Sequence, residues 1–314
     1  MGNINSGKRT YHVCEGFFKT WNSNRAYILG FTCADGNLYG RSLSWELTNK
    51  YRSNLELLNN FNNVMGSNYL IYRRDFSYRL RISNRTILKD INALGIVPNK
   101  KKILVFPRVK CNYLRHFLRG FLDGDGWIVN RVRGNESKEI CVGFSNGSLN
   151  FMNVLIEKLR TNLSIDSFNL RCRKKMTKAG KVSKTYQLEF YAENANKILE
   201  FLYGGLSKND LFLRRKYAKY LESKKFFEET KKTKMFGRKW IEIEDFYGKS
   251  MKRLLEESLV KDNIISKDIA DKFGVSLSTI YRWLDKSNVR GFEKRGSVEW
   301  SKKILFSKEM VKNG

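Results

Sequence analysis

Leu118-Arg119-Gly120-Phe121-Leu122-Asp123-Gly124-Asp125-Gly126 is the stretch on which the reading of this chain turns. Read as a helix, it places Gly120 and Gly124 four residues apart, on one face. Glycine in a helix interior costs about 1 kcal/mol relative to alanine. A glycine face offsets that loss by letting another backbone approach very closely. The segment then ends in two aspartates, where the helix dipole disfavours negative charge. Carboxylates in that position point to a cation.

A second copy lies upstream, Ile28-Leu29-Gly30-Phe31-Thr32-Cys33-Ala34-Asp35-Gly36. Gly30 and Ala34 repeat the small-residue pair, and Asp35-Gly36 repeats Asp125-Gly126. Both copies resemble the LAGLIDADG motif of homing endonucleases. The resemblance implies two motif helices packed at a pseudo-two-fold axis. It also implies a metal site at the eighth residue of each motif, Asp35 and Asp125, with Gly36 and Gly126 beside them. Mg²⁺ is the expected cofactor, and Mn²⁺ a substitute. The first copy departs at its sixth position, where Cys33 replaces aspartate. A calcium loop of the EF-hand kind needs a longer acidic series and a closing glutamate, which Gly126-Trp127-Ile128-Val129 does not supply.

The chain has 314 residues, 41% of them hydrophobic, which suffices for about two domains with a real core. Lys plus Arg number 60 against 31 Asp plus Glu, a net charge of +29. Such an excess points to a polyanion, most simply nucleic acid. No apolar run is long enough to span a bilayer, so a membrane partner is not expected. The N-terminus lacks an apolar signal core, and an intracellular protein is expected. The five cysteines are scattered without a CxxC, and His12 and His116 are the only histidines. A structural zinc site is therefore not expected, and a reducing compartment is the default.

Residues 1–24 read as a loose arm. Half one spans 25–111: a helix to Ala34, short alternating segments that include a strand over 43–48, a helix over 53–64, a hairpin over 69–83 and a helix over 86–94. The order repeats in half two, 112–222, with helix 113–124, strands 127–133 and 140–144, helix 149–163, a long hairpin over 168–191 and helix 194–202. Each half reads αββαββα, and the motif aspartates lie 125 − 35 = 90 residues apart. An α+β fold follows, in which the resemblance, over about residues 25–220, implies two pseudo-symmetric halves forming a saddle of antiparallel sheets on double-stranded DNA. A small all-α tail completes it.

Alternation on the strands puts one apolar and one polar face on each sheet, and a two-stranded ribbon fits the major groove. The DNA-facing candidates in half one are Asn37, Tyr39, Arg41, Arg73, Arg79 and Arg81, with Ser44 and Glu46 on the same sheet. In half two they are Arg131, Arg133, Asn169, Arg171, Arg173 and Gln187. The family carries a basic residue near the end of each half, beside the cleaved phosphates. Lys100 fits half one; Lys216, with Lys208 as the alternative, fits half two. Residues 223–240 form a lysine-rich linker, and 241–314 a second module. Ser266 to Leu284 resembles a helix-turn-helix, in which Ala270 allows close crossing, Gly274 makes the turn, Ser276 caps and Ile280 anchors the core. Its recognition face would include Ser276, Ser278, Tyr281 and Arg282.

The expected activity is metal-dependent hydrolysis of one phosphodiester in each DNA strand by a monomer. Two other readings stay open: an RNA maturase acting on intron RNA, and a regulator that binds DNA without cutting.

Overall fold

A computed structural model describes residues 10–97, 104–132, 138–176, 180, 182–261 and 266–289. They divide into two compact units, Met1–Phe227 and Glu228–Gly314. No helix among the described residues is long and apolar enough to cross a membrane.

The first unit is built twice over. Helix α1 (Ser23–Asp35) leads into β1 (Gly36–Tyr39) and β2 (Ser42–Thr48), then α2 (Arg52–Val64), β3 (Ile71–Arg73), β4 (Ser77–Ile82) and α3 (Arg85–Ala93). Helix α4 (Leu114–Asp125), entered through a 3₁₀ turn, opens the second copy. It is followed by β5 (Gly126–Val132), β6 (Lys138–Asn146), α5 (Leu149–Leu163), β7 (Asn169–Met176), β8 (Val182–Tyr191) and α6 (Ala192–Tyr203). Each half folds its strands into a four-stranded antiparallel sheet, in the orders β1-β2-β4-β3 and β5-β6-β8-β7. The alternation seen in the sequence sets the faces. Leu43, Trp45, Leu47, Leu80 and Ile82 are buried in the first sheet, and Ile140, Val142, Phe144, Leu188 and Phe190 in the second.

Helix starts follow local chemistry. The side chains of Asn22, Asn84 and Ser148 accept the backbone N–H three residues on, at the starts of α1, α3 and α5. The expected loose arm is not loose where it is described. Val13, Phe17 and Phe18 are buried in the core, and the Cys14 N–H donates to Met65 O at 2.9 Å. Three large apolar side chains there gain more from burial than an extended arm would.

The lysine-rich stretch after Glu222 is not an irregular linker. It continues helix α7 (Arg214–Phe236), followed by α8 (Arg238–Tyr247). The second unit packs α8, α9 (Met251–Glu256), α10 (Ser266–Phe273) and α11 (Leu277–Ser287) around Trp240, Met251, Leu255, Ile269, Ile280 and Trp283. Three residues join α10 to α11. Gly274 takes φ +63°, the left-handed region open to glycine. Ser276 caps α11 by accepting from the Thr279 N–H. Ala270 and Ile280 are buried.

Candidate active site and nucleic-acid interface

Helices α1 and α4 meet through their glycines. A methyl group at Gly30 would overlap the carbonyl of Phe117, and one at Gly120 would overlap the carbonyl of Tyr27. Side chains at these positions would hold the backbones apart, so the pair must be glycine. At the end of the contact Gly124 faces Ala34, and the Asp35 carboxylate lies alongside; an added methyl at Gly124 would be 3.6 Å from Asp35 Oδ2. The two helices therefore end together, and Asp35 and Asp125 are brought to one place. Asp35 is exposed and Asp125 half-buried. Gly36 and Gly126 follow as helix caps with φ −72° and −102°, values open to any residue. Space demands glycine there: a methyl at Gly36 would strike Thr32, and one at Gly126 would strike Leu122.

Each motif helix feeds its own sheet, and the two helices cross at glycine. This is the arrangement that the resemblance of the two motifs to LAGLIDADG implies. No protein-family model matches the chain, and no curated protein matches it by sequence. Among solved structures, the chain is similar to the LAGLIDADG homing endonuclease I-LtrWI bound to target DNA. The identity is 14%, over 67% of this chain and 91% of that one, with a TM-score of 0.43. It is similar to the LAGLIDADG meganuclease I-AabMI bound to uncleaved DNA, with 12% identity over 68% and 92% of the two chains and a TM-score of 0.47. A point variant of I-SmaMI aligns at 15% identity over 73% and 98%, with a TM-score of 0.48.

The second motif helix carries a buried polar network. Asp123 is buried and accepts from Tyr27 Oη and Tyr203 Oη at 2.6 Å each and from the Leu213 N–H at 2.8 Å. Burial pushes its carboxyl up, while Lys216 and these donors pull it down. Both phenols are pushed far above the ordinary range by burial and by Asp123, so they remain donors. Arg119, fully buried, donates from Nε to Leu211 O at 2.9 Å and from Nη1 to Leu202 O at 3.0 Å. Its Nη2 lies 2.9 Å from His116 Nδ1. A guanidinium can only donate, so Nδ1 accepts and the ring is neutral. Burial, then Arg119, hold His116 down to about 4, which agrees. The 3.3 Å approach of His116 to Asp210 is therefore no ion pair; Arg119 is the cation that faces Asp210. The clue in the sequence was a pair of opposite charges four apart, Arg119 and Asp123, on a helix that must be buried.

Lys216 closes this network. Its ammonium donates to the carbonyls of Leu122, of Asp123 at 2.8 Å and of Gly126 at 2.7 Å. Of these, Asp123 O lies in the last turn of α4, whose carbonyls lack an intrahelical partner. Leu122 O also accepts from the capping Gly126 N–H, Gly126 itself opens β5, and the last turn of α4 holds no basic residue of its own. Burial pulls the ammonium down to about 8, against the pull of Asp123 and, more weakly, Asp35 and Asp125. All three hydrogens are thus engaged, and Lys216 sits beneath the aspartates as a charged cap. Lys208 is not drawn into this cluster, and Lys100 lies outside the described residues. The Gly126 carbonyl, expected beside the metal, already accepts from Lys216.

On the outer sheet faces, register sorts the other candidates. Asn37, Tyr39, Arg79 and Arg81 share the exposed face of the first sheet, and Tyr39 is 75% exposed. Arg41 is exposed in the turn between β1 and β2. Arg73 is a correction: it pairs with Tyr78, itself opposite Leu47, so it belongs to the other face. It is exposed only because β3 is a short edge strand. Arg131, Asn169, Arg171, Arg173 and Gln187 share the outer face of the second sheet. Asn169 accepts from Arg171 Nη2 at 2.8 Å once its amide is oriented to suit. Arg133 lies outside the described residues. On α11, Ser278 and Arg282 are exposed and Tyr281 is half-buried. The Ser276 hydroxyl is taken up by the cap and by Ser278 and Thr279.

Proposed function

We propose that the chain is a metal-dependent, site-specific DNA endonuclease that cuts both strands. The observation that carries this is the convergence of Asp35 and Asp125 at the ends of two helices fused through Gly30 and Gly120. Helix dipoles and mutual repulsion both oppose carboxylates there. The donor set suits a hard divalent cation, since Mg²⁺ binds through one or two carboxylates and keeps its other positions for water and substrate phosphate. Bound there, the cation would supply Lewis-acid stabilisation of phosphate charge and a more acidic water.

The chain's own residues do the rest. The outward arginines of the two sheets bind the duplex and set its register. Asp35 and Asp125 would hold the cation, so one chain supplies both acids. Lys216 cannot release a hydrogen from its carbonyls without uncapping α4, so it acts by charge, offsetting the dipole and the carboxylates. The likeness to DNA-bound homing endonucleases accords with this reading, and the α10–α11 pair would make a DNA contact of its own.

The test is incubation of the full chain with a duplex library, with Mg²⁺ and with EDTA. Double-strand cuts that need Mg²⁺ and vanish in Asp35→Asn and Asp125→Asn are expected, with DNA binding retained. Full cleavage by the double variant would refute the site. Binding without cutting in the wild type would favour the regulator.

A further inference from the structure

The register of the two sheets matches row for row. Gly36 pairs with Trp45 as Gly126 pairs with Phe144, each immediately after a motif aspartate. One residue further along the central strands lies the row Glu46–Arg79–Tyr72 in half one, and the row Ser145–Gln187–Arg171 in half two. The rows occupy equivalent places on the outer faces but differ in chemistry.

In half one the arginine is held by a carboxylate. Arg79 Nε donates to Glu46 Oε2 at 2.8 Å, and Nη2 donates to the same oxygen. The other carboxylate oxygen accepts from Ser77 Oγ at 2.6 Å, and Arg74 stands 3.9 Å away. Ser77 and then Arg79 hold the Glu46 carboxyl below its usual range, so it is a lasting anion. The Glu46 bonds use one side of the guanidinium. Its end, formed by Nη1 and the second Nη2 hydrogen, has no partner among the described residues. That end is the fork that matches O6 and N7 of guanine in the major groove. A guanidinium locked by a carboxylate meets the base with its rotamer already fixed, which lowers the cost of ordering a long side chain.

We propose that Arg79, buttressed by Glu46, reads one guanine in the half-site bound by the first sheet. Gln187 stands at the place equivalent to Arg79 in half two, so this buttressed guanine contact belongs to half one. This rests on the endonuclease reading, but it concerns which base is read, not whether DNA is cut.

The test is selection from a randomised duplex library by the full chain in EDTA, so that binding is read without cleavage. Wild type should enrich one guanine position by about 5- to 150-fold over other bases. Arg79→Gln should lose that preference while the other positions keep theirs, and Glu46→Gln should weaken it. Both substitutions are on the surface, and a thermal melt confirms the fold; Arg79→Lys serves as a second variant, which keeps the charge but not the fork. An Arg79→Gln profile unchanged at every guanine overturns the proposal and leaves the endonuclease reading standing. An unchanged Glu46→Gln profile overturns the buttress. A wild type that enriches no sequence overturns both readings together.

Discussion

Gly30 and Gly120 stand in reciprocal contact, each pressed against a backbone carbonyl of the other's helix, Phe117 for the first and Tyr27 for the second. A carbonyl cannot rotate out of the way as a side-chain tip can. Gly30→Ala or Gly120→Ala should therefore force the helices apart, and the cost should sit at the upper end of overpacking, about 3 kcal/mol or more. The helix-propensity gain of alanine, about 1 kcal/mol, should not rescue it. Denaturant unfolding checks this, and stability unchanged in both variants would contradict the contact.

Lys216→Met should be costly for a different reason. It would take the ammonium donor from the carbonyls of Asp123 and Gly126, leave Leu122 O with the Gly126 N–H alone, and remove the cation that pulls the buried Asp123 carboxyl down. Removing one partner of a buried charge pair costs about 3–5 kcal/mol. We expect a loss of that order in unfolding experiments, and a loss of metal-dependent cutting even where the variant is held folded at low temperature.

The neutral His116 gives stability a pH dependence of known sign. Its folded value lies near 4 and the ordinary value is 6.5. Between these the unfolded chain takes up a proton that the folded chain refuses, so the unfolded state binds more protons and stability falls as pH falls. The contribution is complete above about 6.5 and is lost by about 4, amounting to roughly 3 kcal/mol. His116→Gln, which keeps an acceptor for Arg119, should flatten the curve in that window. Equal slopes for wild type and variant between pH 4 and 6.5 would place the effect elsewhere.

Binding to DNA should be strongly salt-dependent, given a net charge of +29 and arginines spread over both outer sheet faces. Each phosphate contact contributes about −0.9 to the log–log slope, so six to ten contacts would lower affinity by ~10³–10⁵ between about 50 and 200 mM salt. A fluorescence titration over that range measures it, and a flat response would argue against the saddle.

Much of this architecture could be read along the chain because it is written in local periods. Small residues four apart marked the helix contact, alternation along strands marked the buried sheet faces, and repetition of both marked two halves. Arg73 escaped that reading because a three-residue edge strand is too short to show its own alternation, and the pairing with Tyr78 assigns its face. The buried arm residues escaped because three apolar side chains without a period leave no pattern.

Beyond the Arg119–Asp123 spacing, the network under the aspartates left no local trace in the sequence. Asp123 meets Tyr27 across 96 positions and Tyr203 across 80, and Lys216 reaches Leu122 across 94. No local period encodes such distances. They depend on how closely the glycines let α1 and α4 approach, and on where α7 then begins. The same holds for Glu46 and Arg79, 33 residues apart. Their alternation told which face each would take, but only strand register could set them side by side, since a slip of one residue would have turned each to the other face.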